Sequence, residues 1–197
     1  IRDLVRSRGL GDVYKRQDYN YIKYARVAEE DPNAVVSFHY YLPMLLSHYK
    51  MLAWVGYQGA VQYPGVVIPT QSDADKYPQY ASFHKTTYNA DRIMGEMSNA
   101  ASDGRNAGLA VHCGEFGCSK NVAEAMRLAW FTDMVAAMEA NNIPWTLWEC
   151  LDGGFGFVDM EYGIYRINCP LLKVLTGKEL TDAEAKALLQ KYGFKTE

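Results

Sequence analysis

The sequence predicts an α/β fold that forms part of a (β/α)8 barrel. Three observations support this prediction: three apolar strands follow one another, segments of helical length separate them, and polar or aromatic side chains occupy their carboxyl ends. Strands separated by helices pair in parallel, and such a barrel keeps its chemistry at the carboxyl ends of its strands. A full barrel needs about 250 residues. The 197 residues of this chain therefore predict an incomplete barrel.

The predicted strands are residues 34–41, 108–114 and 143–150, with the sequences AVVSFHYY, GLAVHCG and IPWTLWEC. Each is a nearly continuous apolar run without regular polar alternation, which is typical of a buried strand in a parallel sheet. The side chains at their carboxyl ends favour a barrel over a doubly wound sheet. These side chains are His39, Tyr41, Glu115 and Trp148.

Four segments have the character of helices: residues 18–30, 88–103, 121–139 and 181–193. Pro32 ends the first of them, because proline disfavours a helical conformation in the residue before it. The third and the fourth begin with the side chains of a capping box, Asn121 with Glu124 and Thr181 with Glu184.

Two segments lack a clear period. Residues 42–80 are rich in Tyr, Pro and Gly, and an excursion of this length predicts a functional loop. Residues 1–17 are basic and irregular, and GLGDVYKRQ resembles the translated adapter sequence found at the ends of assembled environmental reads. We interpret residues 1–17 as a non-native or disordered leader and residues 18–197 as the folded domain.

The composition excludes several classes of protein. With 49% hydrophobic and 22% charged residues, the chain can bury one sizeable core. The net charge of −3 argues against a nucleic-acid partner, and no apolar run approaches the roughly 20 residues that span a bilayer. The four cysteines lack zinc-site spacing, so we expect reduced, mostly buried thiols. Aromatic residues make up 13% of the chain, which suits a sugar-binding cleft or simply a well-filled core.

Three motifs stand in order at the ends of the strands: FHYYLP (residues 38–43), HCGEFG (112–117) and PWTLWE (144–149), which continues into GGFGF. Together they resemble the last three strands of glycoside hydrolase family 5, the cellulase family, over roughly residues 18–177. The resemblance implies strands six to eight of the barrel, at its carboxyl-terminal end. It also implies retaining hydrolysis of β-glucan O-glycosidic bonds, with no metal and no cofactor.

Glu115 is the predicted catalytic nucleophile. It lies between two glycines, whose missing side chains would let a sugar and the backbone approach closely while the carboxylate points into the barrel mouth. From the residues alone, a glutamate that only caps the next helix is an equal alternative. The resemblance implies that Glu115 attacks the anomeric carbon and forms a covalent glycosyl-enzyme.

His39 and Tyr41 lie on one face of their strand, because side chains alternate with a period of two. The resemblance implies that the Tyr41 hydroxyl donates a hydrogen bond to Glu115 and that His39 lies beside the sugar. The pair would hold the orientation of the carboxylate. A lone histidine in a strand is more often part of the core, and we assign His112 to that role.

Substrate contacts are predicted on the other loops. The resemblance implies that Trp148 is a platform under the sugar, that it opens onto the same cavity as His39, and that the peptide bond after it is cis. Glu149, Asp152 and the glycines of GGFGF would form the rim of the cleft. In the long loop, His48 and Trp54 are similar in position to a histidine and a tryptophan of the family, although core packing is the alternative. Trp145 is assigned to packing.

The acid/base residue of the family is the glutamate of an Asn-Glu dipeptide, and this sequence contains no such dipeptide. We therefore expect that the amino-terminal half of the domain is missing and that the fragment alone is inactive. The expected partner is a β-linked polysaccharide or oligosaccharide, and the family implies a secreted or periplasmic protein. The alternative function is a non-catalytic barrel relic that binds carbohydrate without cleaving it.

Overall fold

The computed structural model describes residues 18–25, 31, 33–51, 56–151 and 153–197. Two 3₁₀ helices cover Tyr19–Tyr24 and Pro78–Lys85. In chain order the other elements are β1 (Val35–Tyr40), α1 (Met44–Ser47), β2 (Gly65–Val66), α2 (Gln71–Lys76), β3 (Thr87–Tyr88), α3 (Ala90–Asn106), β4 (Ala110–Phe116), α4 (Glu124–Ala140), β5 (Trp145–Leu147), β6 (Val158–Glu161), β7 (Ile164–Ile167), α5 (Cys169–Thr176) and α6 (Asp182–Lys191).

The three predicted strands form one parallel sheet in the order β1-β4-β5, as the sequence predicted. A parallel bridge between Asp18 and His39 continues the pairing on the outer side of β1. The helices α3 and α4 pack against each other, and α3 also contacts β4. The core contains the largest fully buried side chains, among them Phe38 and Tyr40 of β1 and Trp130 of α4.

A polar contact joins the sheet to α3. The hydroxyl of Tyr40 donates to Oε2 of Glu96 at 2.5 Å, and Arg92 Nε donates to Oε1 of the same carboxylate at 3.1 Å. Burial and the neighbouring Glu96 carboxylate raise the pKa of Tyr40, which therefore remains a donor. A buried hydroxyl needs such a partner, because losing it would cost about 1–3 kcal/mol.

The amino-terminal helix differs from the prediction for residues 18–30. The helix is a 3₁₀ helix that begins after Asp18, whose carboxylate accepts from the Asn20 backbone. It ends before Ala25, which is extended with φ −67° and ψ 136°. The predicted remainder, residues 26–30, lies outside the described residues, as do Pro32 and the leader, residues 1–17.

Residues 42–80 contain more regular structure than their sequence predicted, and their functional role stays a prediction. This segment contains α1, β2 and α2, and β2 pairs antiparallel with β3. Its aromatic and aliphatic side chains belong to the hydrophobic core, including Leu46, Tyr57, Tyr63 and Ile68. The Tyr-rich composition therefore serves packing over most of its described length.

The two predicted capping boxes have different outcomes. Thr181 and Glu184 form the box at the start of α6, as predicted. Asn121 does not cap α4, since the helix begins at Glu124 without a side-chain cap. Nδ2 of Asn121 donates instead to the carbonyl of Tyr49 at 3.2 Å.

The hairpin β6-β7 and the helix α5 were not predicted. The hairpin turns at Tyr162 and Gly163, which have φ values of 50° and 77°. Two successive positive φ angles match the twist of a tight hairpin. The dipeptide Tyr-Gly between two short alternating runs was the signal for this turn.

All four cysteines are free thiols, and two of them, Cys113 and Cys118, are buried. Burial raises the pKa of each of these two thiols to about 12. Cys150 is exposed and Cys169 is half-buried, so the expectation that most are buried holds for only half of them. Among the described residues, no helix is both long and apolar enough to cross a membrane.

Two glycines of α3 provide a matched test of how this helix packs. A Cβ on Gly104 would overlap the γ-methyl of Val111, which is stiff at χ1, whereas a Cβ on Gly95 would meet nothing within 4 Å. We expect Gly104→Ala to lower the free energy of unfolding by about 1–3 kcal/mol. Gly95→Ala should raise it by about 0.5–1 kcal/mol, because alanine favours the helix.

Denaturant unfolding of the natural protein that contains this chain would measure both changes. Equal effects of the two substitutions would contradict the packing of α3 against β4.

Candidate active site

Glu115 lies within β4, one residue before the strand ends at Phe116, whereas the sequence predicted a strand that ends at residue 114. The register of β4 against β1 shifts at this point: Phe38 pairs with Cys113, but His39 pairs with Glu115. An extra residue in one strand re-aims the side chains that follow it. The shift brings Glu115 opposite His39.

The Glu115 carboxylate is held through one of its oxygens. The Tyr41 hydroxyl donates to Oε2 at 2.9 Å, as expected from the sequence, and Nδ1 of His39 lies 3.2 Å from the same oxygen. Because a carboxylate only accepts, Nδ1 of His39 carries the hydrogen of this contact. Among the described residues, no partner contacts Oε1. The Glu115 side chain is 29% exposed.

The glycines beside Glu115 fit protein atoms closely. A Cβ on Gly114 would overlap the hydroxyl of Ser37, and a Cβ on Gly117 would overlap the carbonyl oxygen of Trp148. The close approach of backbone that the sequence predicted is confirmed at Gly117, and the approach of a sugar stays a prediction. The two glycines allow neighbouring strands and loops to approach.

Tyr41 is supported from behind by two rings. The His48 ring meets it edge-on at a centroid distance of 4.9 Å, and the Phe155 ring lies 5.9 Å away. Burial, then the hydrogen bond to Glu115, raise the pKa of Tyr41, so its hydroxyl stays protonated and donates. Burial lowers the pKa of His48, which favours its neutral form.

Trp148 follows β5 and is 46% exposed. Its backbone N–H donates to the carbonyl of Phe116, which places it beside the residue that follows Glu115. The peptide bond from Trp148 to Glu149 is cis, as predicted. Trp145 packs its ring against Phe116 at 5.3 Å, which confirms its assignment to packing.

The remaining sequence-predicted residues have different outcomes. Glu149 is half-buried, and its Oε1 is buried without a hydrogen-bond partner among the described residues. Trp54 and Asp152 lie outside the described residues. His112 bridges strands, with Nδ1 3.4 Å from the Ser37 hydroxyl and Nε2 3.1 Å from that of Thr146, as befits the structural role assigned to it.

A cleft of about 320 Å³ borders Glu115, at the lower end of the size range of ligand pockets. His39, Tyr41 and Glu115 line it together with Asp18, Tyr19 and Met44. Trp148 is not among its lining residues, although we expected Trp148 and His39 to open onto one cavity. The cleft gives Glu115 an opening to a ligand.

Arg127 is a residue of the site region that sequence reasoning missed. The residue is 5% exposed, and its guanidinium donates to three carbonyl oxygens: that of Cys118 at 2.9 Å and those of Phe155 and Gly156 at 2.5 and 2.9 Å. Burial lowers its pKa. These bonds fix the GGFGF loop, and with it the Phe155 ring behind Tyr41. A charge within the apolar run of α4 was the available signal.

The model of the family described as Cellulase (glycosyl hydrolase family 5) matches residues 14–154. Endoglucanase C of Acetivibrio thermocellus is 22% identical over 143 residues, which cover 69% of this chain and 39% of that protein. The chain thus spans well under half the length of this relative.

Two solved structures are similar. A chain described as an endoglucanase superposes with a TM-score of 0.61 at 18% identity, over 82% of this chain and 45% of its own. A hyperthermophilic endo-β-1,4-glucanase in complex with substrate superposes with a TM-score of 0.60 at 20% identity, again over 82% of this chain and 45% of its own. The fold is accordingly that of a partial α/β barrel. With the family model matching most of its length, the chain belongs to glycosyl hydrolase family 5, the cellulase family.

Proposed function

We propose that the natural protein containing this chain is a retaining β-glycoside hydrolase that cleaves β-glucan, with Glu115 as its nucleophile. The observation that supports this best is the Glu115 carboxylate at the border of a cleft, held on Oε2 by Tyr41 and His39. Membership of a cellulase family supports the substrate class.

The geometry divides the work between the two carboxylate oxygens. Tyr41 and His39 both contact Oε2, and together they fix the direction of the carboxylate. Oε1 has no partner among the described residues and is the oxygen that attacks the anomeric carbon. A fixed carboxylate favours attack, because less orientational freedom has to be lost on reaching the transition state.

Retention requires a second carboxyl group about 5–5.5 Å from the nucleophile. We assign it to sequence upstream of this chain, on a strand that ends in Asn-Glu, because no Asn-Glu dipeptide occurs here. In this proposal the chain is the carboxyl-terminal part of the barrel, and its strands are the sixth to the eighth. The chain alone does not hydrolyse substrate. Reading the upstream gene tests this assignment directly.

We assign sugar binding to four further side chains. Trp148 offers an exposed indole face, which suits the apolar C–H face of a pyranose. His48, Trp54 and Glu149 complete the proposed contacts with a β-linked polysaccharide or oligosaccharide. A secreted or periplasmic location suits a polymer that is too large to enter a cell.

Replacing Glu115 by alanine should remove β-glucanase activity from the natural protein, because no nucleophile remains to form the glycosyl-enzyme. Azide fits the vacated space and attacks the same carbon. We therefore expect azide to restore cleavage of an aryl β-glycoside and to give a glycosyl azide of inverted, α configuration, measured by NMR.

An azide product of retained configuration would mean that Glu115 is the acid/base instead. Full activity of the folded variant would mean that the hydrolase uses another residue as its nucleophile, whereas a natural protein that binds β-glucan without cleaving it would be a carbohydrate binder.

Tyr41→Phe should lower turnover by roughly 10- to 100-fold, because a hydrogen bond to a charged group is worth about 1.5–3 kcal/mol. Tyr63→Phe is the matched control, since the Tyr63 hydroxyl also donates to a carboxylate, that of Asp133, at 2.5 Å. The control should lose stability without losing turnover. Equal losses of turnover in the two variants would show that Tyr41 acts only through folding.

A further inference from the structure

Ser47 places a buried hydroxyl between the backbone of Tyr41 and the ring of His48. The residue is 0% exposed. Its Oγ lies 2.5 Å from the carbonyl oxygen of Tyr41 and 2.9 Å from Nδ1 of His48. A third neighbour, the carbonyl of Met44, is 3.5 Å away and too distant to compete.

The hydrogens at this junction can be counted. A serine hydroxyl has one hydrogen to donate, and a carbonyl oxygen can only accept. The short contact with Tyr41 therefore takes the hydroxyl hydrogen of Ser47. The remaining contact, with Nδ1 of His48, can be a hydrogen bond only if Nδ1 carries the hydrogen and donates it to Oγ.

The protonation of the other ring nitrogen follows. Burial lowers the pKa of His48 below its ordinary value of about 6.5, which favours the neutral ring with one N–H at pH 7. With that hydrogen on Nδ1, Nε2 has a free lone pair. Among the described residues, no partner contacts Nε2, which lies on the side of the ring away from the buried Ser47 hydroxyl.

The ring cannot easily turn over to exchange its edges. The Tyr41 ring meets it at a centroid distance of 4.9 Å and the Phe155 ring at 5.2 Å, both edge-on. Phe155 is itself fixed by the guanidinium of Arg127 on its carbonyl oxygen. Turning the ring would also leave the buried Ser47 hydroxyl without its nitrogen partner, which costs free energy.

We propose that Ser47 is a positioning residue that fixes neutral His48 with its hydrogen on Nδ1, so that His48 meets a ligand as a hydrogen-bond acceptor at Nε2. The ligand group is then a donor, and the hydroxyl of a sugar is the chemical class that fits. This last step rests on the proposed function, whereas the tautomer does not.

Nitrogen-15 NMR of the natural protein labelled at histidine tests the tautomer, with the His48 signals identified by their loss in His48→Gln. We expect a protonated, pyrrole-like Nδ1 and an unprotonated, pyridine-like Nε2. An unprotonated Nδ1 with a protonated Nε2 in the unaltered protein would overturn the proposal, and this test needs no variant of Ser47.

Three variants of the serines separate this role from general packing. Ser47→Ala should move the hydrogen to Nε2, the position that a free histidine side chain prefers, and Ser47→Thr should retain it on Nδ1. Ser119→Ala is the matched control. Ser119 is as buried as Ser47, and its hydroxyl donates at 2.8 Å to the carbonyl of Tyr49, the residue after His48. The assignment would be contradicted if the ring hydrogen of His48 stayed on Nδ1 in Ser47→Ala or moved to Nε2 in Ser119→Ala.

Titration with cellobiose tests the acceptor role. A hydrogen bond from a sugar hydroxyl should shift the Nε2 signal and leave that of Nδ1 nearly unchanged. A shift of the Trp148 indole signal without any shift at Nε2 would overturn the acceptor role alone. If no signal of the protein responds to cellobiose, the proposed β-glucan specificity is contradicted. The tautomer is tested independently, by the spectrum without ligand.

Discussion

The position of Glu115 depends on a one-residue slip of β4 against β1 at Gly114. If the register of Phe38 with Cys113 continued unchanged, Glu115 would pair with Tyr40, whose side chain is buried against the helices and bonded to Glu96. The carboxylate would then face the core, where an unpaired charge is costly. The slip turns it to the face of His39 and Tyr41, and glycine at the slip leaves room for the Ser37 hydroxyl, which a Cβ would overlap.

The loops after the three parallel strands are joined to one another mainly through backbone carbonyl groups. The hydroxyl of Ser119 donates to the carbonyl of Tyr49, the backbone N–H of Lys120 to Gly154, and the Arg127 guanidinium to Cys118 and to the GGFGF loop. The Arg127 bonds are buried, so breaking one leaves a polar group unsatisfied and costs more than a surface ion pair contributes. The site is therefore held by short, directional contacts. Such contacts suit a nucleophile, because a carboxylate must be accurately positioned to attack.

The sequence predicted the features that short motifs determine. The parallel strands follow from continuous apolar runs, whereas the contact of Tyr41 with Glu115 and the cis bond after Trp148 were implied by the resemblance that the three motifs carry. Contacts between distant residues outside these motifs were missed: residues 42–80 are irregular in sequence but pack into the core, and Asn121 bonds to a remote loop although it has the side chain of a cap. Arg127 belongs to the same class, since its three carbonyl partners lie on loops that only the fold brings together.

The nucleophile can be identified by trapping it. An aryl β-glycoside with fluorine at C2 forms the glycosyl-enzyme but releases it slowly, because fluorine disfavours the oxocarbenium-like transition state of the second step. Trypsin cleaves after Arg105 and Lys120, and the peptide 106–120 contains Glu115 as its only side-chain carboxylate. Mass spectrometry of the inactivated natural protein should find the sugar on this peptide. A label on another peptide, or an unlabelled enzyme that releases a product of inverted configuration, would contradict the role of Glu115.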